Sequence, residues 1–294
     1  MSSISAVLAG DAKKLTDTLQ LTAAESRIEV QMLLQRVLQV NRAYLLAHPE
    51  RTLGETEAAD YQALFQRRLC GEPMAHILGE REFYGLNLRV TPDTLIPRPD
   101  TELLVELAVR NLAPPALIPA DATAQAQLSV LDLGTGSGAI ALAIAHECPH
   151  VKVTAVDASP EALAVARGNA ERLGMRNIQL LPGSWFEPVK DEQYSLIVSN
   201  PPYIAESDPH LQCGDVRFEP VSALVAGADG LDDIRQIIRQ APAHLYPGGW
   251  LLLEHGYDQS ERVRTLLQQA GFTMVFSGQD LAGIERVSGG RLPG

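Results

Sequence analysis

Cysteine is scarce in this sequence: three residues in 294, Cys70, Cys148 and Cys213, standing 78 and 65 positions apart. Such spacing supplies neither the paired thiolates of a zinc site nor the close, even set of a disulfide framework. Basic residues are also short, 24 Lys and Arg against 36 Asp and Glu, for a net charge of −12. That balance excludes a broad basic groove that draws in duplex nucleic acid by counterion release, though not a nucleic-acid enzyme with a local patch. No apolar run approaches the roughly 18 residues of a membrane helix, and the opening MSSISAVLAGDAKK has no basic segment followed by an apolar one. Internal repeats and low-complexity tracts are absent. The expectation is a soluble protein of the reducing cytoplasm, and at 46% apolar it has ample material for a core.

Charge and pattern both change near residue 98. Residues 1–98 carry 11 basic and 12 acidic side chains, whereas residues 99–294 carry 13 and 24. Up to about Leu69 apolar residues recur at helical spacing, as in Val30, Leu33, Leu34, Val37 and Leu38, which predicts three or four short helices broken at His48-Pro49 and Gly54. Residues 83–88 alternate around Gly85 and suggest a β-hairpin leading into residues 94–97. Asp100 and Glu102 open a helix to about Asn111, and residues 113–127 read as a loop. Beyond it, apolar runs at 129–133, 151–156, 178–181, 195–199 and 250–253 alternate with helical patterns at 137–147, 159–173 and 231–243. A last helix, 258–270, precedes a terminal hairpin of 272–276 and 284–287. This is an α/β rhythm, a parallel sheet covered on both faces. The expected division is a helical domain over 1–75, a hairpin linker over 76–98 and a catalytic domain over 99–294.

Two segments carry chemistry. In the first, Val130-Leu-Asp-Leu-Gly-Thr-Gly-Ser-Gly138, a buried strand gives way to glycines at 134, 136 and 138 and then to a helix. The glycines let the backbone turn sharply and approach a ligand, and Asp157, 23 residues after Gly134, can accept from a ribose diol. An adenosine-containing cofactor follows. Asp132 suits the sulfonium and ammonium of S-adenosyl-L-methionine better than the pyrophosphate of NAD, but it serves equally as a helix-capping aspartate, so the residues alone lean to the former.

The second segment, Asn200-Pro-Pro-Tyr203, follows a strand whose end lies beside the glycine loop in a doubly wound sheet. A conjugated NH2 group is a weak nucleophile because its lone pair is delocalised. The Asn200 side-chain oxygen and the Pro201 carbonyl can each accept one of its hydrogens and stabilise the charge that grows on nitrogen. Pro201 and Pro202 stiffen the acceptors, and Tyr203 offers a π face. Together the two segments imply N-methylation of a planar NH2 group.

With these residues in place, the sequence resembles the peptide chain release factor N5-glutamine methyltransferases, a class I S-adenosyl-L-methionine-dependent family, over nearly its whole length. The resemblance rests on Gly71-Glu-Pro-Met-Ala-His-Ile-Leu-Gly79, Leu95-Ile-Pro-Arg-Pro-Asp-Thr-Glu102, Leu131-Asp-Leu-Gly-Thr-Gly-Ser-Gly138, Val198-Ser-Asn-Pro-Pro-Tyr203 and Gly214-Asp-Val-Arg-Phe-Glu-Pro220. It implies a Rossmann-like domain with a mostly parallel seven-stranded sheet and a terminal antiparallel hairpin. It implies cofactor contacts from Gly134, Thr135, Gly136, Ser137, Gly138, Asp157, Trp185 and Asn200, with Asn200, Pro201, Pro202 and Tyr203 holding a glutamine of the release factor Gly-Gly-Gln motif. Asn200, Pro201 and Tyr203 are the expected catalytic residues. The helical domain would grip the release factor. No metal, nucleic acid or membrane is implied, and a monomer is expected. Many relatives carry an acid just before the position of Trp185, where this chain has Ser184, which removes one acceptor for the adenine amino group.

Weaker signals have plainer readings. Trp185 is either an adenine contact or a core aromatic. His146, Cys148 and His150 lie at a helix end without a fourth metal ligand. Arg98 lines the site or pairs with Glu102, and Arg217 and Glu219 order a loop over the substrate or form a surface pair. Rival functions are a glutamine methyltransferase of a large-subunit ribosomal protein, an adenine-N6 or cytosine-N4 methyltransferase acting on a flipped base, an NAD-dependent dehydrogenase, and a cofactor-binding regulator.

Overall fold

The computed structural model describes residues 2–112 and 128–294, so the loop expected over 113–127 lies outside the described residues. Two compact units are present, Met1–Gly79 with Gln212–Phe218 and Glu80–Leu211 with Glu219–Gly294. The division falls at Gly79, and the hairpin belongs to the second unit.

The first unit is built from α1 (Ile4–Leu19), α2 (Ala23–Leu38), α3 (Arg42–Ala47), α4 (Glu55–Leu69) and α5 (Met74–Leu78). The first two are 16 residues each, longer than the spacing suggested. Thr22 and Glu25 close a reciprocal capping box at the start of α2, and Gln20 and Gln39 end α1 and α2 in the left-handed conformation. The apolar stripe of Val30, Leu33 and Leu34 is buried against Ile4, Leu15 and Phe65. Arg68 holds Glu29 through two bonds of 2.8 and 2.9 Å and lies 3.5 Å from Asp215, which ties the returning segment into this unit.

In the second unit β1 (Glu80–Phe83) and β2 (Leu86–Arg89) pair antiparallel across Tyr84-Gly85, whose φ values of 51° and 75° match the tight turn that right-handed strand twist favours. A 3-10 turn at Pro99–Thr101 leads into α6 (Glu102–Leu112). Then follow β3 (Ser129–Leu133), α7 (Ala139–Glu147), β4 (Lys152–Asp157), α8 (Pro160–Arg172), β5 (Ile178–Pro182), β6 (Tyr194–Ser199), α9 (Asp232–Gln240), β7 (Leu245–Glu254), α10 (Ser260–Gln269), β8 (Thr273–Gln279) and β9 (Glu285–Arg291). The seven-stranded sheet runs β5-β4-β3-β6-β7-β9-β8, parallel except for the pairings of β9. Alternation along the strands sends Val130, Leu196 and Val198 into one cluster with Leu104 and Leu142. It sends Leu131, Ile197 and Leu251 into another with Ile234 and Val263.

The architecture is the expected one; β7 and β8 run longer than expected, and two other differences in extent have a local cause. Helix α9 stops at Gln240 and tightens into a 3-10 turn, since Pro242 has no N–H to continue it. Strand β9 runs on to Arg291, beyond the expected end at 287, and passes through Gly289 and Gly290. A Cβ at Gly289 would stand 2.4 Å from Leu252 Cδ2, and one at Gly290 2.8 Å from Phe272 Cβ, so close packing requires glycine in the strand.

Asn169 of α8 fastens the hairpin to the glycine loop. Its oxygen accepts from Arg89 N at 2.7 Å, while its Nδ2 donates to Arg89 O at 3.0 Å and to Ser137 O at 2.9 Å. Asn169 is fully buried. Asn169→Ala removes three hydrogen bonds, leaves Ser137 O buried without its partner, and is expected to lower the free energy of unfolding by about 2–4 kcal/mol. Urea unfolding checks this; a midpoint equal to that of wild type would show that the hairpin is anchored elsewhere.

Candidate active site

Strand β3 pairs with β4 on one side and β6 on the other, with Leu133 opposite both Val156 and Ser199. The loops that leave these three strands therefore share one edge of the sheet. In the first loop Gly134, Gly136 and Gly138 have φ of 73°, 56° and 85°. Gly134 N and Thr135 N both donate to Val156 O, at 2.9 and 3.0 Å. Asp157 secures the turn before any ligand arrives, because Gly136 N donates to its Oδ2 at 2.7 Å and Ser159 N to its Oδ1 at 2.9 Å. Each oxygen keeps a further lone pair. Gly138 does a different job: a Cβ there would stand 2.9 Å from Leu142 Cδ1 and 3.2 Å from Ala166 Cβ, so it lets α7 and α8 approach.

Asp132 lies beneath this loop, fully buried. Thr135 Oγ1 donates to its Oδ2 at 2.6 Å, and Oδ1 has no hydrogen-bond partner. Burial pushes the carboxyl up to about 7; the Thr135 hydroxyl opposes the rise, the Asp157 charge adds to it, and the Ala141 amide in the first turn of α7 opposes it. The sequence left Asp132 between a cation site and a helix cap. It contacts the loop through Thr135 and faces the first turn of α7 through the Ala141 amide, as a capping aspartate does, and Oδ1 has no hydrogen-bond partner.

The second loop is braced at both ends. Ser199 Oγ donates to Leu133 O at 2.7 Å, and Gln259 Nε2 donates to Tyr203 O at 2.9 Å. Ile204 N continues into a bond with Leu224 O at 2.8 Å. Between the braces, Asn200 Nδ2 donates to Thr101 Oγ1 at 3.3 Å, while Asn200 Oδ1 is buried without a partner. The Tyr203 hydroxyl points to Glu254 Oε1 at 3.4 Å. Burial raises the Tyr203 phenol, and the Glu254 carboxylate adds to that rise.

A cleft of about 420 Å³ opens over both loops. Gly134, Thr135, Gly136, Ser137, Asp157, Trp185, Asn200 and Pro202 line it, whereas Gly138, Pro201 and Tyr203 do not. Trp185 faces the cleft and also rests on the core, at φ 48° with its ring 3.5 Å from where a Cβ of Gly134 would be. Ser184 lines the wall beside it, its N donating to Glu187 Oε2 at 3.3 Å. Among the lining residues Asp93, Asp157, Glu161 and Asp233 are acidic, and Arg98 alone is basic.

Arg98 pairs with Glu219 at 2.6 Å and not with Glu102, whose Oε1 instead accepts from Tyr84 N at 3.0 Å. Glu219 is no surface residue: its side chain is fully buried, and its Oε1 accepts from Ile96 N at 3.0 Å, pinning the rim of the cleft. Arg217 belongs to the helical unit, donating to Cys70 O at 3.3 Å. Thr101, Glu254 and Gln259 were missed in the sequence; the one available signal was an acid closing the buried apolar run Leu251-Leu-Leu-Glu254. Among the described residues no three His, Cys, Asp or Glu side chains gather as a metal site.

Residues 116–218 match the methyltransferase small domain, and residues 13–79 match the PrmC N-terminal domain. The chain is 50% identical to a release factor glutamine methyltransferase of Vibrio cholerae serotype O1, over 95% of this chain and 94% of that one. It is 53% identical to one of the same name from Bordetella pertussis, over 90% of this chain and 95% of that one. A methyltransferase from Pyrococcus furiosus superposes with a TM-score of 0.51 at 19% identity, covering 80% of this chain and 99% of that one, a likeness of fold.

Asp132 gives a testable sign. An unfolded aspartate titrates near 4, so a folded value of about 7 means the folded chain holds the proton more tightly. Stability then falls as pH rises from about 4 through about 7. Ligand-free Asp132→Asn should melt several degrees above wild type at pH 8, with the gap closing by about pH 4. Equal gaps at both pH values, in scanning calorimetry, would show that the buried charge carries no such penalty.

Proposed function

Because the chain belongs to the release factor glutamine methyltransferase family, we propose that it transfers the methyl group of S-adenosyl-L-methionine to the side-chain amide nitrogen (N5) of a glutamine in the Gly-Gly-Gln motif of peptide chain release factors, modulating translation termination. The observation that carries this reading is Asn200 Oδ1, a buried acceptor without a partner on the residue that borders the cleft. An acceptor left empty in the protein is an acceptor available to an NH2 group.

The cleft suits the cofactor. Four carboxylates against one guanidinium favour a ligand with sulfonium and ammonium charges and oppose the pyrophosphate of NAD. The loop Gly134–Gly138 would hold the amino-acid portion, Asp157 the ribose and Trp185 the adenine. S-adenosyl-L-methionine supplies an electrophilic methyl group when bound. The chain's own part is orientation. Asn200 Oδ1 and the Pro201 carbonyl accept the two amide hydrogens, which directs the nitrogen lone pair and stabilises the positive charge that develops there. Pro201 is buried, so its carbonyl is held, and Pro202 forms part of the wall. Tyr203 braces the turn from behind through Glu254. The helical unit would bind the body of the release factor, and residues 76–98 would join it to the catalytic domain. An acidic cleft does not favour a nucleic-acid strand, and the substrate places the reaction in the cytoplasm.

Three measurements test this. Tritium-methyl transfer offered release factor, large-subunit ribosomal protein and DNA side by side should label release factor; label on DNA or on the ribosomal protein instead would sink the assignment. Asn200→Ala should fold normally and cost on the order of 10²–10³ in single-turnover rate, with cofactor affinity little changed. Near-normal turnover by that variant would mean the amide sits elsewhere. Asp157→Ala should weaken cofactor binding by about 1.5–3 kcal/mol or more, since it loses the ribose acceptor and frees Gly136 N as well. An unchanged dissociation constant in calorimetry overturns the ribose contact.

A further inference from the structure

Asn200 can perform this role only if its oxygen, not its nitrogen, faces the substrate. The two ends of a carboxamide are alike in size, and either orientation fits the same space. Something outside the residue must choose. Thr101, which is buried, stands 3.3 Å from Asn200 Nδ2 and also faces the carboxylate of Glu254, the last residue of β7. A hydroxyl has one hydrogen to give. An ionised carboxylate only accepts, so it takes that hydrogen and leaves the Thr101 oxygen as an acceptor for the Asn200 NH2.

We propose that Thr101 and Glu254 are positioning residues: Glu254 fixes the direction of the Thr101 hydroxyl, and that hydroxyl turns Asn200 so that Oδ1 is presented to the reacting amide. The inference rests on the reading of Asn200 as the amide acceptor.

The relay reverses when that proton is present. A protonated Glu254 becomes a donor to Thr101, Thr101 then donates to Asn200, and the carboxamide turns over to present N–H where an acceptor is needed. The groups facing Glu254 set where this happens. Burial and Asp100 push its carboxyl up to about 7, while Thr101, Tyr203 and Arg286 oppose the rise. Arg286 is itself shared with Asp100 at 3.6 Å and Asp280 at 3.0 Å.

The test uses the full chain with Thr101→Val, Thr101→Ser and Glu254→Gln. Single-turnover methylation of release factor should fall about 10- to 100-fold in Thr101→Val, with KM and cofactor affinity within about threefold of wild type. Thr101→Ser should restore the rate. The wild-type rate should show an acid limb with a midpoint of about 7, and Glu254→Gln should lose it. A second readout needs no turnover: the side-chain NH2 signals of Asn200 in 15N-labelled protein should shift with that same midpoint, and in Thr101→Val they should not shift. Failure of glutamine methylation by wild type would remove the functional reading and leave this readout standing. Asn200 signals indifferent to pH in the wild type, or a Thr101→Val protein that keeps both its rate and its acid limb, would overturn the relay.

Discussion

The pairing of β3 with β6 is the constraint on which the site depends. It sets Leu133 level with Ser199, so that Gly134 and Asn200 leave the sheet as neighbours although 66 residues separate them along the chain. Parallel strands need a crossover, and the chain uses the intervening residues to lay β4 and β5 on the far side of β3 before returning. The reversal of direction opens the crevice in which ligands of open α/β sheets are held. Both loops then inherit positions from a ladder of backbone bonds rather than from their own side chains, and short braces suffice to hold them.

Two buried acids carry the same physical cost. Asp132 lies within β3, next to its last residue, and Glu254 closes β7; each has one oxygen without a hydrogen-bond partner. Both carboxyls are raised by burial. Asp132 sits under the glycine loop, held by the Thr135 hydroxyl. Glu254 sits behind the Asn-Pro-Pro-Tyr turn, 3.4 Å from the Tyr203 hydroxyl. An apolar residue in either place would be easier to bury.

The sequence disclosed what lies in contiguous stretches. The glycine loop, Asp157 and the Asn-Pro-Pro-Tyr turn were legible because their chemistry is written in adjacent residues and their edge of the sheet follows from strand alternation. Thr101 and Glu254 were not, since one reads as part of a helix start and the other as the end of a strand, and only folding brings them to Asn200. Arg98 was left between lining the cleft and pairing with Glu102; it lines the cleft, and its partner is Glu219, 121 residues away. Tyr203 was expected to offer its face to the substrate, and its hydroxyl is directed to Glu254, an orientation that no spacing rule encodes.

The long reach of these contacts bears on how the protein comes into being. Ile96 and Arg98 are fixed by a residue more than 120 positions later, and Thr101 by partners at positions 200 and 254. Closing loops of that length is entropically demanding and comes after local structure has formed. A chain emerging from the ribosome therefore has its glycine turn long before it has a rim or an oriented carboxamide. Nascent chains can collapse around the first strands, but a competent catalyst exists only once β7 has been made and has slotted in beside β6.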